Sequence, residues 1–372
     1  MNSCLVVAGE KSGEEHAMSF IPELKKYSPD MHFFGVGGDA LAANEMELLY
    51  HLKDFSSIGF SEVIKKYPFY KKAFKKILDE VEKRNCKYAI LIDFQTFNLK
   101  LAQKLKERGI KVFYYVAPQA WVWKEKRVEI LKNCLDTLFC ILPFEKKWFT
   151  ERGVKSIISV QHPIMYRHKK YLPITKQNKT DKSWKIVLLP GSRNFEVEEL
   201  LPRFVETIKI LRQHFKIEVS LVKVDHINDS LYLLASELNP KIYDSSDLED
   251  ALLDADLSLA SSGTVTLSLG LFAVPTLVCY RTSLFNLFMF NNLIAYKGFI
   301  SLTNIIHQKE MFPEFIQDEV DPHILSNYML KWMNHPDKYN LRLNELLKTQ
   351  NLVIGEDVSV ARYIHQKMEL GK

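Results

Sequence analysis

Apolar residues in this chain gather into short runs, and between the runs they recur every three to four positions. The first pattern marks strands buried on both faces; the second marks helices with one buried stripe. In the first half the strand-like runs are Cys4–Val7, His32–Phe34, Tyr88–Ile92, Val112–Val116, Thr137–Leu142 and Ser156–Val160. Helical spacing predicts helices near Ser12–Lys26, Ser61–Lys83, Phe97–Arg108, Trp121–Asn133 and Phe144–Arg152. The polar stretch Lys169–Ser183, with Pro163 and Pro173 nearby, reads as a linker. The alternation then restarts. Strands are expected at Ile186–Leu189, Glu218–Val222, Lys241–Tyr243, Leu257–Ala260 and Thr276–Cys279, with helices near Glu196–His214, Asp229–Leu238, Leu248–Asp254 and Thr264–Phe272. Helices near Pro322–Asn334 and Pro336–Met368 close the chain. This order predicts the α/β class: two Rossmann-like, doubly wound domains facing across a ligand cleft. The expected boundaries are 1–165 and 166–345, with 346–372 as a helix returning to the N-terminal domain.

Composition changes this picture little. A length of 372 residues suits two domains, and 47% hydrophobic with 26% charged residues suits a sizeable core. The net charge of +5 is too mild to suggest a nucleic-acid partner. Five scattered cysteines without a C-x-x-C pair indicate neither a disulfide framework nor a zinc site, and fit a reducing cytoplasm. The N-terminus reads as a first strand, and no run of 18 uncharged apolar residues suggests a spanning helix.

Candidate chemistry sits at strand ends. Leu189-Pro190-Gly191-Ser192-Arg193 turns a strand into a helix through small residues, which leaves free N–H groups for an anion. Arg193 adds a planar charged fork suited to phosphate. Ser262-Gly263-Thr264 repeats the arrangement, and two such turns could grip a diphosphate; simple helix capping is the plainer alternative. In the first half, Gly9-Glu10-Lys11-Ser12-Gly13 follows the first strand, where backbone can approach a substrate or Ser12 can cap a helix with Glu15. Asp93 follows an apolar strand directly, placed either to take a proton from a hydroxyl or to cap the next helix. Trp121 and Trp123 flank a helix start and suit a sugar face, an acyl chain or core packing.

Between positions 63 and 78, Val63, Tyr67, Tyr70, Phe74, Ile77 and Leu78 share a face, and Lys65, Lys66, Lys71, Lys72, Lys75 and Lys76 crowd the remainder, with Pro68 kinking or restarting the helix. Such a helix either rests on an anionic membrane or packs its stripe in a core. The membrane is expected here, through Lys65, Lys66, Tyr67, Phe69, Tyr70, Lys71 and Lys72. A second apolar patch, Ser283–Ile300, could contact lipid or core.

In collinear order over nearly the whole chain, these segments resemble the lipid-A-disaccharide synthase family, inverting glycosyltransferases of the GT-B fold. The resemblance is carried by Ala8-Gly9-Glu10-x-Ser12-Gly13, Gly35-Val36-Gly37-Gly38, Gly59-x-x-Glu62-Val63, Ile92-Asp93-x-x-x-Phe97-Asn98 and Tyr115-Val116-x-Pro118-x-x-Trp121-x-Trp123. It continues through Leu142-Pro143-Phe144-Glu145, His162-Pro163, Leu189-Pro190-Gly191-Ser192-Arg193-x-x-Glu196-Val197, Ser262-Gly263-Thr264, Asn304 and Pro313-Glu314-x-x-Gln317. It implies transfer of 2,3-diacylglucosamine from UDP-2,3-diacylglucosamine to 2,3-diacylglucosamine 1-phosphate (lipid X), giving a β-1,6-linked disaccharide phosphate and UDP. It further implies Asp93 as base and Arg193 as the leaving-group clamp. Gly191, Ser192, Ser262, Gly263, Thr264, Ser268, Asn304, Glu314 and Gln317 fall on the donor side, and Gly9, Glu10, Ser12, Gly13, Glu62, Asn98 and Trp121 on the acceptor side. No cofactor or metal is implied; the setting is the cytoplasmic face of the inner membrane, with room for a homodimer. Four positions depart from the family pattern: Glu14 for Asp, Gln95-Thr96 for Pro-Asp, Gln161 for Gly, and Ser268 for a Glu suited to the ribose hydroxyls. The last implies rebuilt ribose recognition or weaker nucleotide binding. Another GT-B UDP-sugar enzyme, either a 2-epimerase or the peptidoglycan type, and a non-catalytic lipid-binding scaffold are the alternatives.

Overall fold

A computed structural model describes residues 2–55, 66–122, 125–180, 183–282 and 298–370. It divides into two units, one of Met1–Tyr166 with Val353–Lys372, the other of Arg167–Leu352. Residues 346–352 therefore sit in the second unit.

In the first unit the strands are β1 (Asn2–Ala8), β2 (Met31–Gly37), β3 (Glu47–His51), β4 (Tyr88–Ile92), β5 (Lys111–Tyr115), β6 (Thr137–Cys140) and β7 (Ile157–Ser159). They pair in the order β3-β2-β1-β4-β5-β6-β7, and every pairing is parallel. All five residues of β4 are buried, as an unbroken apolar run requires when helices cover both faces. Strand β3 escapes the sequence pattern because it is a polar-edged strand of five residues, none fully buried. The expected helix at 12–26 is two helices, Lys11–Met18 and Ile21–Tyr27, with Pro22 in the first turn of the second. Val360–Glu369 returns to this unit: the Tyr88 hydroxyl donates to the Met368 carbonyl at 2.7 Å, and the rings of Phe139 and Tyr363 meet edge-on at 5.8 Å.

The second unit contains β8 (Ser183–Leu189), β9 (Lys216–Lys223), β10 (Lys241–Asp244), β11 (Leu257–Ser261), β12 (Thr276–Tyr280) and β13 (Glu314–Ile316). Their order is β10-β9-β8-β11-β12-β13, again all parallel. Strand β13 was not expected; three residues beginning with Glu carry no periodic signal. Residues 229–238 form 3₁₀ turns, where the sequence suggested an α-helix.

The order of each sheet reverses beside its first strand, between β1 and β4 in one unit and between β8 and β11 in the other. Ligands of open parallel sheets bind at the carboxyl ends of the strands flanking such a reversal, because the flanking connections leave on opposite faces and open a crevice. The segments after these four strands begin at Gly9, Asp93, Pro190 and Ser262, and they carry the principal candidate turns.

Candidate active site

At the first reversal, β1 and β4 run in register with Ala8 beside Ile92, so Gly9 and Asp93 are the next positions on neighbouring strands. Asp93 and Phe94 both adopt φ of 44°. Left-handed backbone costs an L-residue about 1–2 kcal/mol, so the surroundings must hold it. The Asp93 carbonyl accepts from the buried Tyr114 hydroxyl at 2.7 Å and from Asn98 Nδ2 at 3.0 Å, and the Asp93 N–H donates to the Tyr115 carbonyl at 2.9 Å. The helix that follows is Gln95–Lys106; its N-cap is Phe94, without a side-chain cap bond, so Asp93 does not serve as the cap. The Phe94 ring lies over Gly9, where an added Cβ would come within 2.8 Å of it.

Burial, reinforced by the negative charge of Glu10, pushes the Asp93 carboxyl up to about 6. Desolvation raises Glu10 as well. Glu145 is pushed to about 7 by burial, opposed by the Trp121 indole N–H at 3.1 Å and the Leu142 N–H at 3.2 Å. Burial also lowers His16 to about 4 and His162 to about 3. Asp93 is thus a largely desolvated carboxylate whose neighbours Glu10 and Glu145 are also raised.

The remaining acceptor-side residues divide. Ser12 is exposed and caps nothing, because the first helix begins at Lys11 with Glu10 as its N-cap and no side-chain cap bond. Gly13 is buried against Ala8. Asn98 is fully buried, with Nδ2 spanning the carbonyls of Ile92 and Asp93, so it braces the turn from inside. Trp121 spends its N–H on Glu145 and stacks edge-on with Phe144 at 5.1 Å. Two of the departures from the family pattern find structural uses. Glu14 accepts the N–H groups of Gly38 and Leu41, and Gln95 and Thr96 both accept from the Arg127 guanidinium. Glu62, Lys65 and Trp123 lie outside the described residues, as does most of the Ser283–Ile300 patch.

The lysine-rich helix is Tyr67–Lys83, with Pro68 in its first turn. Phe69 and Tyr70 join a cluster of rings with Tyr50, Phe55, Phe74, Phe94 and Phe97, and the Tyr70 hydroxyl donates to the Phe55 carbonyl at 2.7 Å. Lys66 reaches the Asp54 carbonyl. The outward members are Lys71, Lys72 and Tyr67, the last 63% exposed. Packing thus takes up Phe69, Tyr70, Phe74, Ile77 and Leu78 and leaves Tyr67 on a basic surface. Among the described residues no helix is long and apolar enough to cross a membrane.

At the second reversal, Gly191 has φ +133°, and any side chain there would strike Glu196. Arg193 is extended and precedes the helix Asn194–Arg212. Its guanidinium is 74% exposed and donates to Glu196 Oε1 at 3.1 Å, while the Ser192 N–H donates to Glu196 Oε2 at 2.8 Å. One carboxylate therefore spans both donors, in the way a ligand's anionic oxygens could. After β11, Ser262 is half-buried, and Gly263 and Thr264 are exposed. Gly263 has φ +149° with open space around its missing Cβ, so backbone conformation accounts for glycine there. Thr264 precedes the helix Val265–Leu271 without a side-chain cap bond.

Other donor-side residues are turned inward. Ser268 is 3% exposed, and its hydroxyl lies 2.9 Å from His168 Nε2. His168 Nδ1 lies 2.9 Å from Glu249 Oε1; a carboxylate only accepts, so Nδ1 donates and Nε2 takes the serine proton bond. Asn304 is fully buried: Oδ1 accepts from Met311 and Phe312, and Nδ2 donates to the Phe312 carbonyl and to Glu314. Glu314 also accepts from Ile300 and Ser301, and the Gln317 amide pairs with both backbone groups of Thr282. The family resemblance flagged these residues; the sequence carried no sign that the amides of Asn304 and Gln317 close on backbone or that Ser268 closes on His168. Tyr114 was missed altogether, lying inside an apolar run. Among the described residues no group of three His, Cys, Asp or Glu side chains could hold a metal ion.

A family model for lipid-A-disaccharide synthetase matches residues 4–364. The lipid-A-disaccharide synthase of Myxococcus xanthus is 34% identical over 331 residues, covering 86% of this chain and 84% of that one. Lipid-A-disaccharide synthase 1 of Legionella pneumophila strain Philadelphia 1 is 32% identical, covering 92% and 91%. Among solved structures, a putative UDP-N-acetylglucosamine 2-epimerase from Listeria monocytogenes aligns with a TM-score of 0.62 at 11% identity over 100% of this chain and 96% of its own. The Neisseria meningitidis UDP-GlcNAc 2-epimerase bound to UDP-GlcNAc gives 0.58 at 12% identity, with both chains fully covered. The spinosyn rhamnosyltransferase SpnG complexed with thymidine diphosphate gives 0.52 at 11%, covering 99% and 100%. At these identities the structures speak for the GT-B fold alone.

Proposed function

The chain belongs to the lipid-A-disaccharide synthase family, and we propose that its first unit supplies the general base for that family's reaction and its second unit the grip on the UDP diphosphate. The reaction moves 2,3-diacylglucosamine from UDP-2,3-diacylglucosamine to the primary hydroxyl of lipid X. A bond forms from the acceptor oxygen to the anomeric carbon as the bond from that carbon to UDP breaks. The hydroxyl proton passes to Asp93. A base serves best when its pKa lies close to the working pH, and a carboxyl raised to about 6 does so while staying mostly ionised at neutrality. That poised carboxylate at the first sheet reversal is the observation that carries the reading.

UDP departs with growing negative charge. The Arg193 fork and the Ser192 N–H are suited to receive it, with Glu196 giving up its place. Gly263 and Thr264 offer a second exposed turn for the same diphosphate. The Ser268 hydroxyl is committed to His168, so the ribose hydroxyls are recognised by other groups in this chain. Lys71, Lys72 and Tyr67 form the surface that meets anionic lipid at the cytoplasmic face of the inner membrane, where both acylated substrates reside.

The test is direct. Protein incubated with UDP-2,3-diacylglucosamine and lipid X should release UDP and form the disaccharide, and Asp93→Ala should lose the activity with its fold intact. Absence of UDP release from the folded wild type would sink the reading.

A further inference from the structure

We propose that Tyr114 is a positioning residue for the Asp93 carboxylate, holding it through the backbone on which it sits. The inference rests on the reading of Asp93 as the base. Asp93 and Phe94 are the only consecutive non-glycine pair with positive φ among the described residues. Asp enters that region more readily than most residues, but a bulky residue such as Phe is a poor occupant of it. The enforcing contacts come from one neighbouring strand, β5, and from the helix that follows the turn.

A peptide group is a rigid plane, so fixing its carbonyl fixes the orientation of the whole unit. The peptide after the Asp93 Cα is fixed at its carbonyl by Tyr114 at 2.7 Å and Asn98 at 3.0 Å. The peptide before it is fixed at its N–H by the Tyr115 carbonyl at 2.9 Å. With both flanking planes held, the direction of the Asp93 Cα–Cβ bond is set, and only side-chain rotation remains to the carboxylate. Beyond the turn, the Phe94 ring seats against Phe55 at 5.8 Å and Phe97 at 5.6 Å and covers Gly9. Tyr114 is wholly buried and Asn98 equally so, which keeps water from competing for the Asp93 carbonyl. Loosening the bracket lets the turn relax toward ordinary backbone, moves the carboxylate and admits water to it.

Tyr114→Phe removes one oxygen and keeps the ring. The Asp93 carbonyl still has Asn98, so the variant is expected to fold; circular dichroism and a melting curve check this. Full-length Tyr114→Phe, assayed with UDP-2,3-diacylglucosamine and lipid X, should lose roughly tenfold in kcat with KM for both substrates within about twofold, as misplacing a catalytic group does. Its acid limb should move to lower pH by about half a unit, toward the range of a solvated carboxylate. Tyr88→Phe is the control, since it deletes a similar buried hydroxyl donating to a backbone carbonyl, that of Met368, and should leave both quantities unchanged. An acid limb that stays in place in folded Tyr114→Phe overturns the inference, whatever happens to kcat, because packing alone then explains the contact. A wild type that makes no disaccharide, or an Asp93→Ala that keeps its rate, overturns the base assignment itself, so the two failures are distinguishable.

Discussion

At the first sheet reversal the chemical group is a carboxylate on left-handed backbone, held at both flanking peptides and pushed up to about 6 mainly by burial. At the second it is a guanidinium largely in solvent, on extended backbone, paired with a carboxylate three residues along. Both follow a central parallel strand that flanks a sheet reversal, Asp93 after β4 on the far side of its reversal and Arg193 after β8, the first strand of its sheet. The difference matches the tasks proposed for the two groups. A base needs its proton affinity set before the substrate arrives, and desolvation sets it only if the group is enclosed and fixed. A phosphate brings its own charge, so its receptor can wait in water, with the Glu196 carboxylate occupying the donors meanwhile.

That contrast predicts unequal sensitivity to substitution. Asp93→Ala should lower kcat by about 10²–10⁴-fold, the usual contribution of a general base. Arg193→Ala should cost about 10²–10³-fold in kcat/KM, the scale of removing one transition-state anion donor, and Arg193→Lys should recover only part because it lacks the planar fork. Initial rates at saturating and limiting donor check both. An Arg193→Ala rate equal to wild type would remove the second reversal from the mechanism and leave the comparison one-sided.

Burial of Asp93 also carries a stability cost with a definite sign. Its folded pKa is raised from the ordinary 3.8 to about 6, so the folded state holds the proton more tightly than the unfolded chain does. The associated stability is full below about pH 4 and is lost as pH rises through about 6. Asp93→Asn cannot ionise and escapes the loss. It should be more stable than wild type at pH 8 by about 1–2 kcal/mol, discounted for the partial exposure of the group, with the gap closing below pH 4. Denaturant melts at the two pH values measure this; an equal gap at both would mean that the carboxylate is not desolvated. The solvent-facing charges should behave more mildly. Lys71→Gln with Lys72→Gln should weaken binding to anionic vesicles by roughly thirtyfold, at about 1 kcal/mol per lysine near the surface. Unchanged co-sedimentation would assign this helix to packing alone.

The strand ends that flank the sheet reversals were legible in the sequence, because unbroken apolar runs ending just before Gly9, Asp93, Pro190 and Ser262 mark them without reference to tertiary contacts; the strand order that makes them reversals was not. The short or polar strands at 47–51 and 314–316 were not, since they bury too little to impose a period. Polar residues that the family resemblance assigns to the site could be located but not given a direction. Asn98, Asn304 and Gln317 read as ligand-facing, yet each closes its amide on backbone. Tyr114 shows the converse: within an apolar strand, its hydroxyl gives no sign of reaching a carbonyl on the neighbouring strand's end. Composition likewise could not separate the aromatic stripe of Tyr67–Lys83 from its lysines, which packing does by turning Phe69 and Tyr70 into a ring cluster.

The central claim is that Asp93 is a base poised by its enclosure. The most direct measurement is the pH profile of kcat/KM for disaccharide formation by the wild-type protein, which reports the groups of the free protein. The account predicts an acid limb near pH 6, falling about tenfold per unit below it, with the plateau above. A rate that stays level down to pH 4.5 would contradict it.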